Sequence, residues 1–292
     1  MKVAITGASG GLGRAAAELV LQQVDAAEIV LTTRHPESLA DFAARGVDVR
    51  RADFADAQTL PAAFAGVDRL LLVSTDSVGA RLDQQRDAIT AAAAAGVRHV
   101  LYTSVPEPVP DNPSGVVADH AGTEQALLDS GLAWTMLRNN LYAHLQLPAL
   151  EQAAASGRWV TNAGEGATAY VTREDCAAAA AAVLTSEGHE GRAYDITGPD
   201  ALTAADLAAL AGRIGGRRVE LVSLGDDEFA AGLRAVGLPG PVVELMTSFG
   251  ASVRGGFLAG VSSAVADLTG RRPTALADLL DPTAVGVTTP PD

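Results

Sequence analysis

Three glycines near the start of the chain, Gly7, Gly10 and Gly13, stand three apart within Thr6-Gly7-Ala8-Ser9-Gly10-Gly11-Leu12-Gly13. The apolar run Lys2–Thr6 precedes them, and a helical pattern from Gly11 to about Gln23 follows. Between a strand and a helix this spacing has a chemical use. The first glycine permits a tight turn, the second lets backbone approach an anion, and the third lets helix and strand pack closely. The free N–H groups at the helix start, helped by the helix dipole, then hold a diphosphate. Thr6 through Gly13 are therefore expected to bind a dinucleotide.

The second apolar run, Glu28–Thr33, indicates which dinucleotide. An NAD site places Asp or Glu near the end of this strand to hold the ribose hydroxyls. Here the strand leads into Arg34-His35, with no acid. A guanidinium is permanently charged and makes two parallel hydrogen bonds, which suits a 2′-phosphate. The expected cofactor is NADP(H). After the third apolar run come Asp53 and Phe54. The carboxylate could accept from the adenine amino group while the ring beside it covers the base, although Asp53 fits a helix N-cap equally well. Ser74, Thr75 and Asp76 follow the fourth run and Thr103 and Ser104 the fifth, at strand ends that should border the cofactor.

Such residues converge only if successive strand ends lie side by side. The pattern supplies this frame. Apolar runs at Lys2–Thr6, Glu28–Thr33, Val47–Arg51, Asp68–Val73, Arg98–Thr103 and Ala133–Leu137 alternate with helical stretches. Those stretches are Gly11–Gln23, Pro36–Arg45, Ala57–Phe64, Arg81–Ala95 and Asp119–Ser130. The alternation predicts right-handed βαβ crossovers and a doubly wound parallel sheet of the Rossmann type, an α/β fold. From about Ala155 the rhythm changes. Helices are expected at Arg173–Thr185, Ala204–Ile214, Asp226–Val236 and Pro239–Val253, with short extended pieces at Arg192–Ile196 and Arg218–Val222. We read residues 1–155 as the cofactor domain and 156–280 as a smaller, mostly helical domain on the substrate side that can interleave with the first. Residues 281–292 read as a loose tail.

Composition narrows the function. The 292 residues carry a formal net charge of −14, which disfavours nucleic acid and anionic lipid as partners. No apolar stretch reaches the ~18 residues of a membrane span. The single cysteine, Cys176, lies in an Ala-rich helical stretch and reads as core. Lone cysteine and absent leader together point to the cytoplasm. His35, His99, His144 and His189 lack metal-ligand spacing, so no metal is expected.

Beyond the glycine loop and Arg34, the chain contains LLLVS (70–74), YTS (102–104), LRNNLY (137–142), VTNAG (160–164), VTRED (171–175) and EGHEG (187–191). In order and spacing these segments resemble the NmrA-like atypical short-chain dehydrogenases, in the branch of NADPH quinone oxidoreductases and triphenylmethane reductases. The resemblance runs from residue 1 to about 280. It implies an NADPH-binding domain with substrate held between it and a smaller domain. It also implies that Arg138, Asn139, Asn140, Leu141 and Tyr142 lie along the nicotinamide half of the cofactor. The 169–175 segment would close the same pocket, with Tyr170, Thr172 and Arg173 toward the substrate.

Conventional members of the wider superfamily use a Tyr-x-x-x-Lys pair, which is missing here. Gln146 lies four residues after Tyr142, Glu174 four after Tyr170, and Lys2 is the chain's only lysine. A ketone that accepts hydride becomes a strongly basic alkoxide and needs a proton donor. A quinone or extended cation spreads the added charge, so positioning can suffice. The expected activity is hydride transfer from NADPH to a small conjugated acceptor by a monomer or homodimer. His120 and Tyr142 are the candidates for acceptor orientation or proton donation. The alternative is an NADP-binding redox sensor without turnover.

Overall fold

The computed structural model describes residues 1–77 and 79–280; the stretch read as a tail lies outside them. The first part of the chain runs β1 (Val3–Ile5), α1 (Gly11–Leu21), β2 (Ile29–Thr33), α2 (Ala40–Ala44), β3 (Asp48–Arg51), α3 (Leu60–Phe64), β4 (Arg69–Leu72), α4 (Arg81–Ala94), β5 (His99–Ser104), α5 (Val117–Asp129) and β6 (Ala133–Asn139). The rest runs α6 (Leu147–Ser156), β7 (Arg158–Thr161), β8 (Ala167–Thr168), α7 (Arg173–Thr185), β9 (Arg192–Ile196), β10 (Leu202–Thr203), α8 (Ala204–Gly215), β11 (Glu220–Ser223), α9 (Asp226–Ala235), α10 (Gly240–Arg254) and α11 (Ala264–Thr269).

Seven strands form one parallel sheet in the order β3-β2-β1-β4-β5-β6-β9. The doubly wound α/β fold expected from the alternation is the fold observed. Strands with both faces covered should be almost wholly apolar, and β2, β4 and β5 are buried at every position. Side-chain alternation divides the core in two. Val3, Ile5, Leu31, Leu101 and Leu137 face α1 and α7, whereas Ala4, Val30, Leu70, Leu72 and Val100 share a cluster with α3 and α4 residues. The alanine-rich α1 and α7 join in the first cluster through Ala16, Ala17, Ala177, Ala180 and Ala181. Cys176 belongs to the same cluster and is buried, as expected of a core residue.

Several details depart from the pattern reading. The helix expected over Pro36–Arg45 splits into a 3-10 turn, Pro36–Leu39, and the short α2. The extended piece expected at Arg218–Val222 is β11, paired in parallel with β7. Neither β7 nor α6 was read as an element. Most notably, β9 pairs with β6 and completes the main sheet, so that sheet draws on chain beyond residue 155. A third core cluster gathers Leu150, Trp159, Tyr170, Leu207, Leu210 and Leu276 from the later part of the chain.

Candidate functional site

Sequence order leaps from β3 to β4 on opposite sides of β1, creating a crevice outside the carboxyl ends of β1 and β4. A cleft of about 530 Å³ lies there, lined by the segments that follow the first four strands. Gly7 has a φ of +58°, a left-handed conformation that glycine adopts without strain. A side chain on Gly13 would overlap the Gly7 carbonyl group, so the third glycine is fixed by the turn that the first one makes. Thr6 ties the loop down: its hydroxyl donates to the Leu71 carbonyl and accepts from Val73 N–H at 2.9 Å. Helix α1 starts at Gly11 with no side-chain cap and no acid in its first turn. Its orphan N–H groups therefore face the cleft without a carboxylate to satisfy them.

At the end of β2 the Ser9 and Thr33 hydroxyls lie 2.9 Å apart, beside Arg34. Arg34 is exposed, lines the cleft, and has no ion-pair partner among the described residues. Asp53 and Phe54 also line it, and Asp53 Oδ1 accepts from Ala55 N–H at 3.0 Å in a local turn. Ser74, Thr75 and Asp76 border the cleft after β4. Arg81, buried in α4, donates from Nε to the Thr75 carbonyl at 2.6 Å and so fixes that border. Thr103 stands behind the lining, where its hydroxyl accepts from Ser74 N–H at 2.8 Å. Ser104 is buried, with its hydroxyl unpartnered.

At the other end of the cleft stand Tyr142 and Arg173. They meet because the 141–143 and 171 backbones pair: Val171 N–H donates to the Leu141 carbonyl and Ala143 N–H to the Val171 carbonyl. Burial raises the Tyr142 hydroxyl above its usual range, so it stays protonated. Its ring stacks on His144, with centroids 5.6 Å apart. Arg173 donates from Nη2 to His144 Nε2 at 2.5 Å.

The remaining residues singled out from sequence do not line this cleft. Arg138 makes a two-pronged pair with Glu124 at 3.0 and 2.7 Å, an assignment invisible in sequence because α5 carries the acid. Asn140 donates to the Leu258 carbonyl and accepts from Leu141 N–H, which ties the end of β6 to the later chain. Asn139 is buried and its Oδ1 has no hydrogen-bond partner. Leu141 packs against the third core cluster. Thr172 caps α7, its hydroxyl accepting from Asp175 N–H. Tyr170 lines a separate pocket with Leu202, Leu210 and Leu276 and packs in the third core cluster, whereas its neighbour Val171 packs in the first. His120 is buried behind the cleft, between Tyr102 and Arg81.

Other cleft residues escaped the sequence reading. Thr32, Thr33, Ala52, Ala55, Val73 and Ser77 adjoin residues that it named, so extending each strand end by a residue or two would have found them. Gln84 lies one turn into α4, where its Oε1 accepts from the Thr75 hydroxyl at 3.2 Å; no motif signals it.

A parallel sheet, a glycine loop at its switch point and a cleft along four strand ends define a dinucleotide-binding protein. A family model described as NAD(P)H-binding matches residues 7–187. The chain belongs to that family, within the NmrA-like atypical short-chain dehydrogenase branch that includes quinone and triphenylmethane reductases. It is 38% identical to the NADPH-dependent quinone oxidoreductase QOR2 of Escherichia coli, solved in complex with NADPH, with a TM-score of 0.91 over 95% of this chain and 98% of that one. The triphenylmethane reductase of a Citrobacter species, solved with NADP(H), is 30% identical with a TM-score of 0.85, over 95% and 98% of the two chains. An NAD(P)H azoreductase of Xenophilus azovorans is 31% identical over 90% of this chain and 92% of its own.

Proposed function

We propose that this chain is an NADPH-dependent reductase that passes hydride to quinones or other small conjugated acceptors. The observation that carries the reading is the cleft with its two unlike ends. One end presents Arg34, with no ion-pair partner among the described residues, beside the Ser9 and Thr33 hydroxyls, which fits a 2′-phosphate. The other presents Tyr142 with no lysine near it.

The residues present fit the cofactor. The uncapped start of α1 leaves free N–H groups, and Gly10, Gly11 and Gly13 add no side chains of their own, where a diphosphate belongs. Arg34, Ser9 and Thr33 would hold the adenosine 2′-phosphate, and Asp53 and Phe54 would lie at the base. When bound, the nicotinamide supplies hydride. Tyr142 remains a phenol because burial disfavours its charged form, so it can orient an acceptor oxygen by donating a hydrogen bond. With no lysine to lower its pKa it is a poor acid, which suits acceptors that delocalise the added charge. The names of the related quinone, triphenylmethane and azo reductases support the same class of acceptor.

The test is NADPH oxidation by the purified protein with simple quinones, triarylmethane and azo dyes, and unconjugated ketones. Turnover of the conjugated compounds and not of the ketones is expected, without added metal or flavin. Tight NADPH binding with no turnover across that panel would instead favour a redox sensor.

A further inference from the structure

Gly11 is not one of the three glycines that the loop spacing requires, and the end of the Arg173 side chain occupies the space that its own side chain would take. A Cβ built on it would lie 2.8 Å from Arg173 Cζ and 2.8 Å from Nη1. The guanidinium of Arg173 therefore lies flat on the first residue of α1, inside the cleft. This is the point where the uncapped N–H groups of α1 emerge, with no acid in the first turn.

The hydrogen-bond partner of Arg173 among the described residues is an imidazole, not a carboxylate. Arginine can only donate, so His144 must present its lone pair at Nε2 and carry its proton on Nδ1. Burial, reinforced by the Arg173 charge, holds His144 below the usual histidine range. The contact positions the cation without neutralising it. A full positive charge and a helix amino end thus converge on one spot, and the complementary ligand is an anion with several oxygens.

We propose that Arg173 is a ligand of the dinucleotide's diphosphate, held ready over Gly11 by His144 and drawn off the imidazole when the anion arrives. The proposal rests on the reading of the cleft as an NADPH site. It assigns Arg173 to the cofactor rather than to the acceptor, the role implied by the family resemblance.

The experiment compares Arg173→Gln with the unmutated chain in fluorescence titrations of NADPH and of adenosine 2′-monophosphate, which lacks the diphosphate. The NADPH Kd should rise roughly 10- to 100-fold, the range for a lost charge-assisted hydrogen bond, while the 2′-monophosphate binds as before. Gly11→Ala, which displaces the guanidinium, should weaken NADPH binding in the unmutated background and add nothing in the Arg173→Gln background. A folded Arg173→Gln protein with unchanged NADPH Kd and a raised KM for quinone would overturn the proposal and return Arg173 to the acceptor. Equal losses for both ligands, or additive losses in the double variant, would overturn it too. If the unmutated chain binds no NADPH, the functional reading itself fails, a result separable from any effect of the Arg173 variant.

Discussion

The Tyr102 hydroxyl lies 2.7 Å from Nδ1 of His120, and both side chains are buried. Gln85 donates to the same hydroxyl at 3.2 Å, and Arg81 Nη1 is 3.5 Å from the other imidazole nitrogen. Burial first, then the Arg81 charge, pushes His120 down to about 3. The folded chain therefore excludes a proton that the unfolded chain binds below its ordinary value of 6.5. His120 imposes no such penalty well above pH 6.5 and costs stability increasingly as pH falls toward 3. The loss amounts to about 2–3 kcal/mol by pH 4.5. Urea unfolding at pH 7.5 and pH 4.5 should show a shallower pH dependence for His120→Gln than for the unmutated chain. Parallel dependences would contradict this account.

Because His120 is buried and does not line the cleft, we expect it not to be the proton donor to an acceptor there. His120→Ala should lower quinone turnover by less than about tenfold, whereas removal of a general acid costs ~10²-fold or more. Steady-state rates at saturating NADPH decide between them.

Arg34 should set cofactor preference. It faces the cleft without an acidic partner among the described residues, so none of their ion pairs competes with a bound phosphate. Arg34→Ala should weaken NADPH by ~1.5–3 kcal/mol and leave NADH nearly unchanged. Equal titration curves for the two cofactors in the unmutated protein would refute the assignment.

Gly10 has ordinary backbone angles, with φ −81°, and a Cβ there would lie 3.3 Å from the Gly7 carbonyl oxygen, so a branched residue fits after a shift of a few tenths of an ångström. Gly10→Val should fold with a native circular dichroism spectrum yet lose NADPH binding, because its side chain projects where the diphosphate must approach. Retained affinity in a folded variant would place the site elsewhere.

Tyr142 is raised by burial, so its ionisation should leave no inflection in the pH–rate profile across the neutral range. Tyr142→Phe should raise KM for quinone more than it lowers kcat, the signature of an orienting contact. A large fall in kcat with unchanged KM would instead mark a proton donor.

The sheet and the part of the cleft built from the first strand ends are legible in the sequence because their signals are local. Buried strands read as apolar runs, Gly7 through Gly13 stand together, and Arg34 closes β2. Partnerships across the chain were not legible. Nothing near Arg138 announces Glu124, and nothing near Asn140 announces the Leu258 carbonyl. The direction of Tyr170 is not legible for a related reason: adjacent side chains in an extended segment point opposite ways, and only the third core cluster shows which way this one turns. Likewise β9 reads as a short extended piece with exposed positions, and pairing with β6 alone makes it the sheet's last strand.

That last pairing bears on how the chain emerges from the ribosome. The free edge of β6 and the alanine-lined inner surface of α1 stay uncovered until α7 and β9 have been synthesised. At ordinary elongation rates the wait after β6 is on the order of 3–10 s. Through that interval the nascent chain offers an unpaired strand edge and a bare apolar face, the features that recruit holding chaperones or seed aggregation. A fragment ending at residue 155 should therefore collect in the insoluble fraction on expression, whereas one extended through residue 200 should gain solubility before any of α8 to α11 is present.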